Sequence, residues 1–151
     1  ATLDGQVVAS GRIGCRGALV KYLLDSNIIL AAVKGRLPGV VKLSALKPGD
    51  VAISIIGRME TEMELRASAS SQGKMGRLLR ELLSSVRVLD FGTNEALHAA
   101  TLGTYQRQSN ERMERYDLLV AATALAHQLV LVTDTPAAFA AVPGLEMENW
   151  L

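Results

Sequence analysis

Residues 22–27 read Tyr22-Leu23-Leu24-Asp25-Ser26-Asn27, so a short apolar run passes directly into an acid and two small polar residues. Three consecutive apolar residues fit a short buried strand, and Asp or Ser after them suits the position that caps a helix. The pattern therefore predicts a strand over 22–24 and a helix from 27 to 34, with Gly35 ending it.

The same alternation of short apolar runs and helical patterns continues on the C-terminal side of this stretch. Further strands are predicted over 51–54, 86–89, 129–133 and 145–147. Helices are predicted over 38–46, 55–71, 74–85, 94–108, 116–128 and 136–140. Repeated strand–helix alternation indicates an α/β fold, here a three-layer α/β/α domain with a central, mostly parallel sheet of four to five strands.

The first 19 residues differ from the rest of the chain. Glycines recur there without a sustained period, and Gly11-Arg12-Ile13-Gly14-Cys15-Arg16-Gly17 lacks the Lys-Ser/Thr ending of a phosphate-binding loop. We therefore expect residues 1–19 to be a flexible leader and residues 20–151 to form one domain.

Composition excludes several classes of protein. Aromatic residues make up 4% of the 151 residues, which argues against a single-strand binder built on aromatic stacking. One cysteine allows no internal disulfide and no cysteine-based zinc site. No apolar run approaches the length of a membrane span, and Arg12 and Arg16 interrupt any secretory signal, so a cytoplasmic protein is expected.

Four acids occur at points where a parallel fold brings chain segments together. Asp25 and Asp134 follow predicted strands, Asp117 opens the apolar helix, and Glu60 lies on a helix after a strand. Glu60 shares a predicted inward stripe with Ile56, Met63 and Ala67. Gathered carboxylates repel one another strongly, and a divalent cation removes that cost.

Each acid also has an ordinary structural explanation. Asp25 and Asp134 could cap helices, and Asp117 could simply favour a helix N-terminus or pair with Arg112 or Arg115. It is the four positions together that favour a metal site.

The motifs in their order resemble the PIN-domain family and, within it, the VapC-type toxins of bacterial toxin–antitoxin pairs. The resemblance spans about residues 20–151. Its segments are Tyr22–Asn27, Ile53-Ser54 with Glu60, Arg115–Ala124, Leu131–Thr133 with Phe139, and Val142–Leu145 with Asn149-Trp150.

The chain departs from the family pattern at three places. Gly57 stands where the family often has Thr, and Thr61 stands where the family usually has Leu. The last acidic or Asn position usually falls at residue 135, which is Thr here, so Asp134 comes one residue early.

The resemblance implies an endoribonuclease that depends on Mg²⁺ or Mn²⁺ and leaves a 5′-phosphate and a 3′-hydroxyl. Asp25 and Asp117 would bind the metal, and Glu60 would bind it or orient the attacking water. Asp134 or Thr135 would hold a further water or ion. Asn27 would hydrogen-bond around Asp25, and Thr133 would support the site.

The resemblance also implies partners. The substrate would be structured RNA, with tRNA the best candidate, and the protein would form a homodimer neutralised by a small VapB-type antitoxin. Either Lys74, Arg77 and Arg80 or Lys34, Arg36 and Lys42 would contact phosphates.

Two other functions compete with this one. A displaced Asp134 could have abolished metal binding and left an inactive, RNA-binding PIN-like module. A small Mg²⁺-dependent phosphatase could use Asp25 as its nucleophile, although the Asp-x-Asp arrangement expected there is missing because residue 27 is Asn.

Overall fold

The computed structural model describes residues 20–36, 45–67 and 72–151. The predicted leader, most of the predicted helix over 38–46, Lys42 and the predicted end of the helix at 71 lie outside these residues. In the described ranges the strands are β1 (Tyr22–Leu24), β2 (Val51–Ser54), β3 (Arg87–Leu89), β4 (Val130–Val132) and β5 (Met147–Glu148).

Five helices are described between and beside these strands. They are α1 (Ser26–Val33), α2 (Ile55–Arg66), α3 (Gln72–Ser85), α4 (Thr93–Gln108) and α5 (Arg115–His127). Short 3₁₀ helices cover Pro48–Asp50 and Pro136–Phe139.

The strands form one five-stranded sheet in the order β3-β2-β1-β4-β5, and the neighbouring pairs among the described residues are all parallel. β1 is central. Leu24 lies opposite Ile53 of β2 and opposite Val132 of β4, so the carboxyl ends of these three strands finish at the same level. The predicted α/β/α fold with a parallel sheet is thereby confirmed. The last strand lies at 147–148 rather than at the predicted 145–147.

Successive residues of β1 serve opposite faces of the sheet, as the two-residue period of a strand requires. Leu23 packs in one core with Leu102 of α4 and Val120 of α5. Leu24 packs in the other with Ile28 of α1 and Leu65 of α2. A parallel sheet covered on both faces is what the apolar strands demand.

The central part of α5 is buried, which the sequence predicted from a helix apolar nearly all round. Val120, Ala121, Ala122 and Ala124 are fully buried. The first turn of α5 remains only partly buried, so the acids there stay accessible.

The described residues include no helix that combines the length and the apolar character needed to cross a membrane.

Candidate active site

Asp25 lies at the carboxyl end of β1 and caps α1. Its Oδ1 accepts a hydrogen bond from the Ser26 amide at 2.9 Å, and its Oδ2 accepts one from the Thr133 hydroxyl at 2.9 Å. Only 4% of the residue is exposed. Burial raises the pKa of Asp25, the hydrogen bonds from Thr133 and Ser26 oppose the rise, and the charge of Asp134 adds to it.

The segment after β4 meets Asp25 because β1 and β4 are adjacent and parallel. Thr133 is fully buried, and its hydroxyl also accepts a hydrogen bond from the Thr135 amide at 3.1 Å. The hydroxyls of Thr133 and Thr135 are 3.2 Å apart. Thr133 therefore links the Asp25 carboxylate to the turn that carries Asp134.

Asn27 contacts a different acid from the one expected. Its Nδ2 donates to Oδ1 of Asp134 at 3.1 Å, so it orients Asp134 rather than Asp25. Asp134 does not cap the following short helix, where Thr135 holds the capping position without a side-chain hydrogen bond. The structure thus gives Asp134 a place at the rim of the site.

Glu60 lies on α2, which starts immediately after β2 with Ser54 as its cap. Its pKa is raised to about 7, first by burial and then by the negative charges of Asp25, Asp117 and Glu114, while the Ser26 side chain opposes the rise. Oε1 of Glu60 is buried and finds no hydrogen-bond partner among the described residues. A buried, unpaired carboxylate oxygen is costly unless a cation or a donor satisfies it.

The helical stripe that predicted Glu60 was wrong in detail. The buried residues of α2 are Gly57, Thr61 and Leu65, whereas Met63 is 54% exposed. Glu60 lies beside this buried face rather than on it. Its half-buried position results from the neighbouring strand ends and the start of α5, not from an inward apolar face.

Asp117 lies in the first turn of α5 and is half-buried. Its pKa is raised to about 6 by burial, by the charge of Asp25 and by the charge of Glu114. Asp25, Glu60 and Asp117, which the sequence singled out, therefore lie close enough for their charges to interact.

Glu114 is a further acid of this cluster, and sequence analysis missed it. Its side chain caps α5 by accepting a hydrogen bond from the Tyr116 amide at 2.9 Å, and its charge raises the pKa of both Glu60 and Asp117. The sequence feature that could have indicated Glu114 is its position three residues before Asp117, at the start of a predicted helix. Glu is not among the preferred capping residues, so this position does not by itself predict a cap.

The site acids have no cationic partner within the ranges that the structure describes. The ion pairs there join Arg66 to Glu62 and His127 to Glu95. Arg112 and Arg115, which the sequence offered as partners of Asp117, form neither pair. Within the part of the chain that the structure describes, no basic side chain is therefore in ion-pair contact with the site acids.

A cavity of about 510 Å³ borders the site and is lined by two of its acids, Glu60 and Asp134, but not by Asp25 or Asp117. Glu60 and Asp134 lie on its wall together with Asn27 and Tyr116, and Lys34 and Arg36 also line it. Lys74, Arg77 and Arg80 are exposed on α3 and do not contribute to the lining.

The donor set fits a hard divalent cation. Within residues 20–36, 45–67 and 72–151, no three His, Cys, Asp or Glu side chains are arranged so that they hold a metal ion between them. Mg²⁺, however, keeps several waters and is commonly bound through one or two carboxylates. The unpaired Glu60 oxygen and the mutual repulsion of the acids are both relieved by such an ion.

Comparison with known proteins places this site in a family. The model of the PIN domain matches residues 22–144, so the chain belongs to the PIN-domain family, a family of nucleases. The resemblance inferred from the motifs is thereby confirmed.

Curated relatives of this chain are VapC proteins. The tRNA(fMet)-specific endonuclease VapC of Salmonella typhimurium is 24% identical over 132 residues, which covers 87% of this chain and 99% of the relative. Ribonuclease VapC2 of Rickettsia felis is 26% identical over 130 residues, or 85% of this chain and 97% of the relative.

Solved structures agree with this assignment. A VapBC2 structure from Rickettsia felis, bound to a promoter DNA fragment, contains a chain with 27% identity and a TM-score of 0.79. The match covers 87% of this chain and 100% of that one. A DNA-bound VapBC structure from Salmonella typhimurium gives a TM-score of 0.80 at 24% identity, covering 88% and 100%, and supports the fold.

Proposed function

We propose that this protein is an endoribonuclease toxin that uses Mg²⁺ or Mn²⁺ to hydrolyse structured RNA in the cytoplasm. The single observation that carries the proposal is the cluster of Asp25, Glu60 and Asp117, which lies beside the carboxyl ends of parallel strands in a PIN domain and forms no ion pair within the described residues. Ligand sites of open α/β sheets lie at this edge.

Asp25 and Asp117 would hold the cation, with Glu60 as a further ligand or as the acceptor for the attacking water. When bound, the cation would supply activation of water and would offset negative charge on the phosphodiester in the transition state. The Thr133 hydroxyl holds Oδ2 of Asp25 in place, and Asn27 holds Asp134. Oε1 of Glu60 is buried without a hydrogen-bond partner among the described residues, so it is the oxygen that a bound ion or an ordered water would satisfy.

The substrate must approach against the charge of the acids. Lys34 and Arg36 line the same cavity as Glu60 and Asp134, so we assign them the contacts to phosphates on either side of the scissile bond. Lys74, Arg77 and Arg80 remain a second, exposed set on α3 that would grip RNA farther from the cut.

The choice of tRNA as substrate rests on relatives. One relative is named as a tRNA(fMet)-specific endonuclease, and its match to this chain covers 99% of that relative's length. Exposed loop bases of a folded RNA offer the recognition surface that a small domain can read. The VapBC structures likewise support a VapB-type antitoxin that blocks the acidic cavity, and the family resemblance supports a homodimer.

The test is cleavage of bulk bacterial tRNA by the purified protein, freed of antitoxin, with Mg²⁺, Mn²⁺ or EDTA. Asp25→Asn should abolish metal-dependent cleavage. Asp90→Asn is the matched control, because Asp90 also follows a strand but is exposed, and its charge is not among those that raise the pKa values of the site acids. The products should carry 5′-phosphates and 3′-hydroxyls, and 2′,3′-cyclic phosphates would reject the mechanism.

One observation favours a second candidate, the inactive RNA-binding module: no three acids in the described ranges are arranged as a complete metal cluster. A metal titration separates the two functions. Millimolar Mg²⁺ or Mn²⁺ should raise the Tm of a nuclease through ligand linkage, by an amount that Asp25→Asn reduces. An unchanged Tm together with inactive wild-type protein would favour the binding module.

A further inference from the structure

A second cavity, of about 490 Å³, lies on the other side of the first turn of α5. Its walls come from the end of α4, the following turn and the start of α5. Met113 and Leu118 form part of the lining, and Tyr116 between them lines the cavity of the site acids instead. The segment that carries Glu114 and Asp117 therefore separates the two cavities.

Gln106 distinguishes this cavity from an ordinary surface groove. The residue lines the cavity and is only 6% exposed, and its Nε2 is buried without a hydrogen-bond partner among the residues described. Buried amide groups are normally satisfied, so an unpaired one at a cavity wall indicates a missing acceptor. The carbonyl oxygens, ring nitrogens and phosphate oxygens of a nucleotide are such acceptors.

The other polar groups of the cavity have matching chemistry. Arg107 and Arg112 line it and outnumber the one acid, Glu111. Asn110 adds a second amide from a left-handed backbone position with φ of 58°. Asn tolerates this conformation better than most residues, and the Glu111 amide closes the turn onto the Gln106 carbonyl at 2.9 Å.

Gly103 lines the cavity on the α4 side. A Cβ built there would meet only Cδ2 of Leu118, at 3.9 Å, which is ordinary contact. A glycine inside a helix costs about 1 kcal/mol relative to alanine. Packing against Leu118 therefore does not require glycine at this position.

We propose that this cavity is a nucleotide subsite, in which Gln106, Asn110 and Arg112 hold one unpaired nucleotide of the RNA next to the bond that is cut. The base would lie against Met113 and Leu118, with the amides on its edge and the guanidinium on its phosphate. The inference rests on the proposed ribonuclease function. It names residues that would help to select which RNA is bound and cut.

The first test measures binding of bulk tRNA to the full chain carrying Asp25→Asn, so that the RNA is not consumed. Adding Gln106→Met removes the unpaired donor at nearly constant length and should weaken binding about tenfold. Gln108→Met, at an exposed residue of the same helix outside this cavity, is the control and should change the dissociation constant less than about twofold.

The Tm separates this role from a structural one. Gln106→Met removes a buried donor that has no partner, so the Tm should stay constant or rise. A structural Gln106 would instead give a lower Tm and unchanged affinity, which would overturn the inference.

A second variant, Gly103→Leu, keeps the inference falsifiable if Gln106→Met fails to fold. A Cβ at this position makes only ordinary contact, and leucine improves helix propensity, so the protein should fold; a leucine at the cavity wall should occupy part of the cavity and weaken tRNA binding. Arg112→Ala should remove one phosphate contact. The slope of the logarithm of the tRNA binding constant against the logarithm of the salt concentration should therefore become shallower by about one. Unchanged affinity in folded Gly103→Leu, or a change only in its oligomeric state, would overturn the subsite.

The two proposals fail in different ways. If the wild-type protein cleaves tRNA but Gln106→Met and Gly103→Leu bind and cut it like the parent, the subsite is overturned and the nuclease stands. If the wild type cleaves no RNA with either metal, while these variants still weaken tRNA binding, the nuclease is rejected and the subsite is supported.

Discussion

At the scale of single residues, the site depends on one fully buried hydroxyl. Thr133 donates to Oδ2 of Asp25, and the same hydroxyl accepts from the Thr135 amide. The hydroxyl therefore connects two strand ends and fixes one carboxylate before any ion binds. Mutating a group that orients a metal ligand typically lowers metal affinity or activity by about 10- to 100-fold.

Thr133→Val should therefore weaken Mg²⁺ binding while preserving the fold. Valine has the same shape as threonine, but it leaves Oδ2 of Asp25 without its donor. We expect metal affinity and cleavage rate to fall by about 10- to 100-fold, measured by calorimetric titration and by tRNA cleavage. Thr104→Val, at an exposed residue of α4, is the control. Equal metal affinity in both variants would contradict this role for Thr133.

At the scale of elements, α4 and α5 are joined by a polar contact far along α5 from the acids. Glu95 in the first turn of α4 accepts from the Gly92 amide at 2.8 Å and lies 2.6 Å from Nε2 of His127 in the last turn of α5. Both residues are placed favourably for the helix dipoles. This contact fixes the packing of α5, whose opposite end carries Glu114 and Asp117.

Glu95→Gln should lower the stability of the protein at neutral pH. A hydrogen bond to a charged group is worth about 1.5–3 kcal/mol, and about 1 kcal/mol shifts the Tm of a domain this size by about 2–4 °C. Glu111→Gln, at an exposed residue, is the control.

The difference in Tm between Glu95→Gln and the wild type should also depend on pH. The hydrogen bonds from the Gly92 amide and from its own backbone, followed by His127, hold the pKa of Glu95 below its usual value of 4.5. The stabilisation is thus present above that value and is lost as the pH falls through the folded-state pKa. A Tm deficit that grows with acidification would contradict the assignment.

At the scale of the whole molecule, the gathered acids set the pH dependence of stability without metal. The pKa of Glu60 is raised from 4.5 to about 7 and that of Asp117 from 3.8 to about 6. Between the ordinary and the raised values the folded state binds more protons than the unfolded state. The stability of the metal-free protein should therefore fall as the pH rises from about 4 to about 7.

The measurement is the Tm in EDTA across this pH range, compared with the Tm in excess Mg²⁺. Glu60→Gln should flatten the decline and raise the Tm above that of the wild type at the alkaline end. Mg²⁺ should remove most of the decline, because a bound cation favours the ionised acids. A Tm in EDTA that rises over the same range would contradict the electrostatic account of the site.

Local patterns in the sequence were enough to predict the α/β fold class, which the structure confirms, and to propose Asp25, Glu60 and Asp117 as site acids. Strand and helix patterns are local, with periods of two and about 3.6 residues, so the apolar runs before Asp25 and Asp134 predicted strands and the run after Asp117 predicted a buried helix. Parallel strands align their carboxyl ends, which is why Asp25 and Asp134 could be placed at one edge of the sheet before the structure was known.

Contacts between side chains of different segments could not be read from the sequence. The pairing of Asn27 with Asp134, the contribution of Glu114 to the acidic cluster and the unpaired amide of Gln106 beside its cavity depend on contacts between segments that are distant in the chain or on opposite sides of a turn. Local periodicity carries no information on such contacts. They are determined by how α4, α5 and the sheet pack together, and that packing follows from the burial of apolar faces rather than from the polar residues themselves.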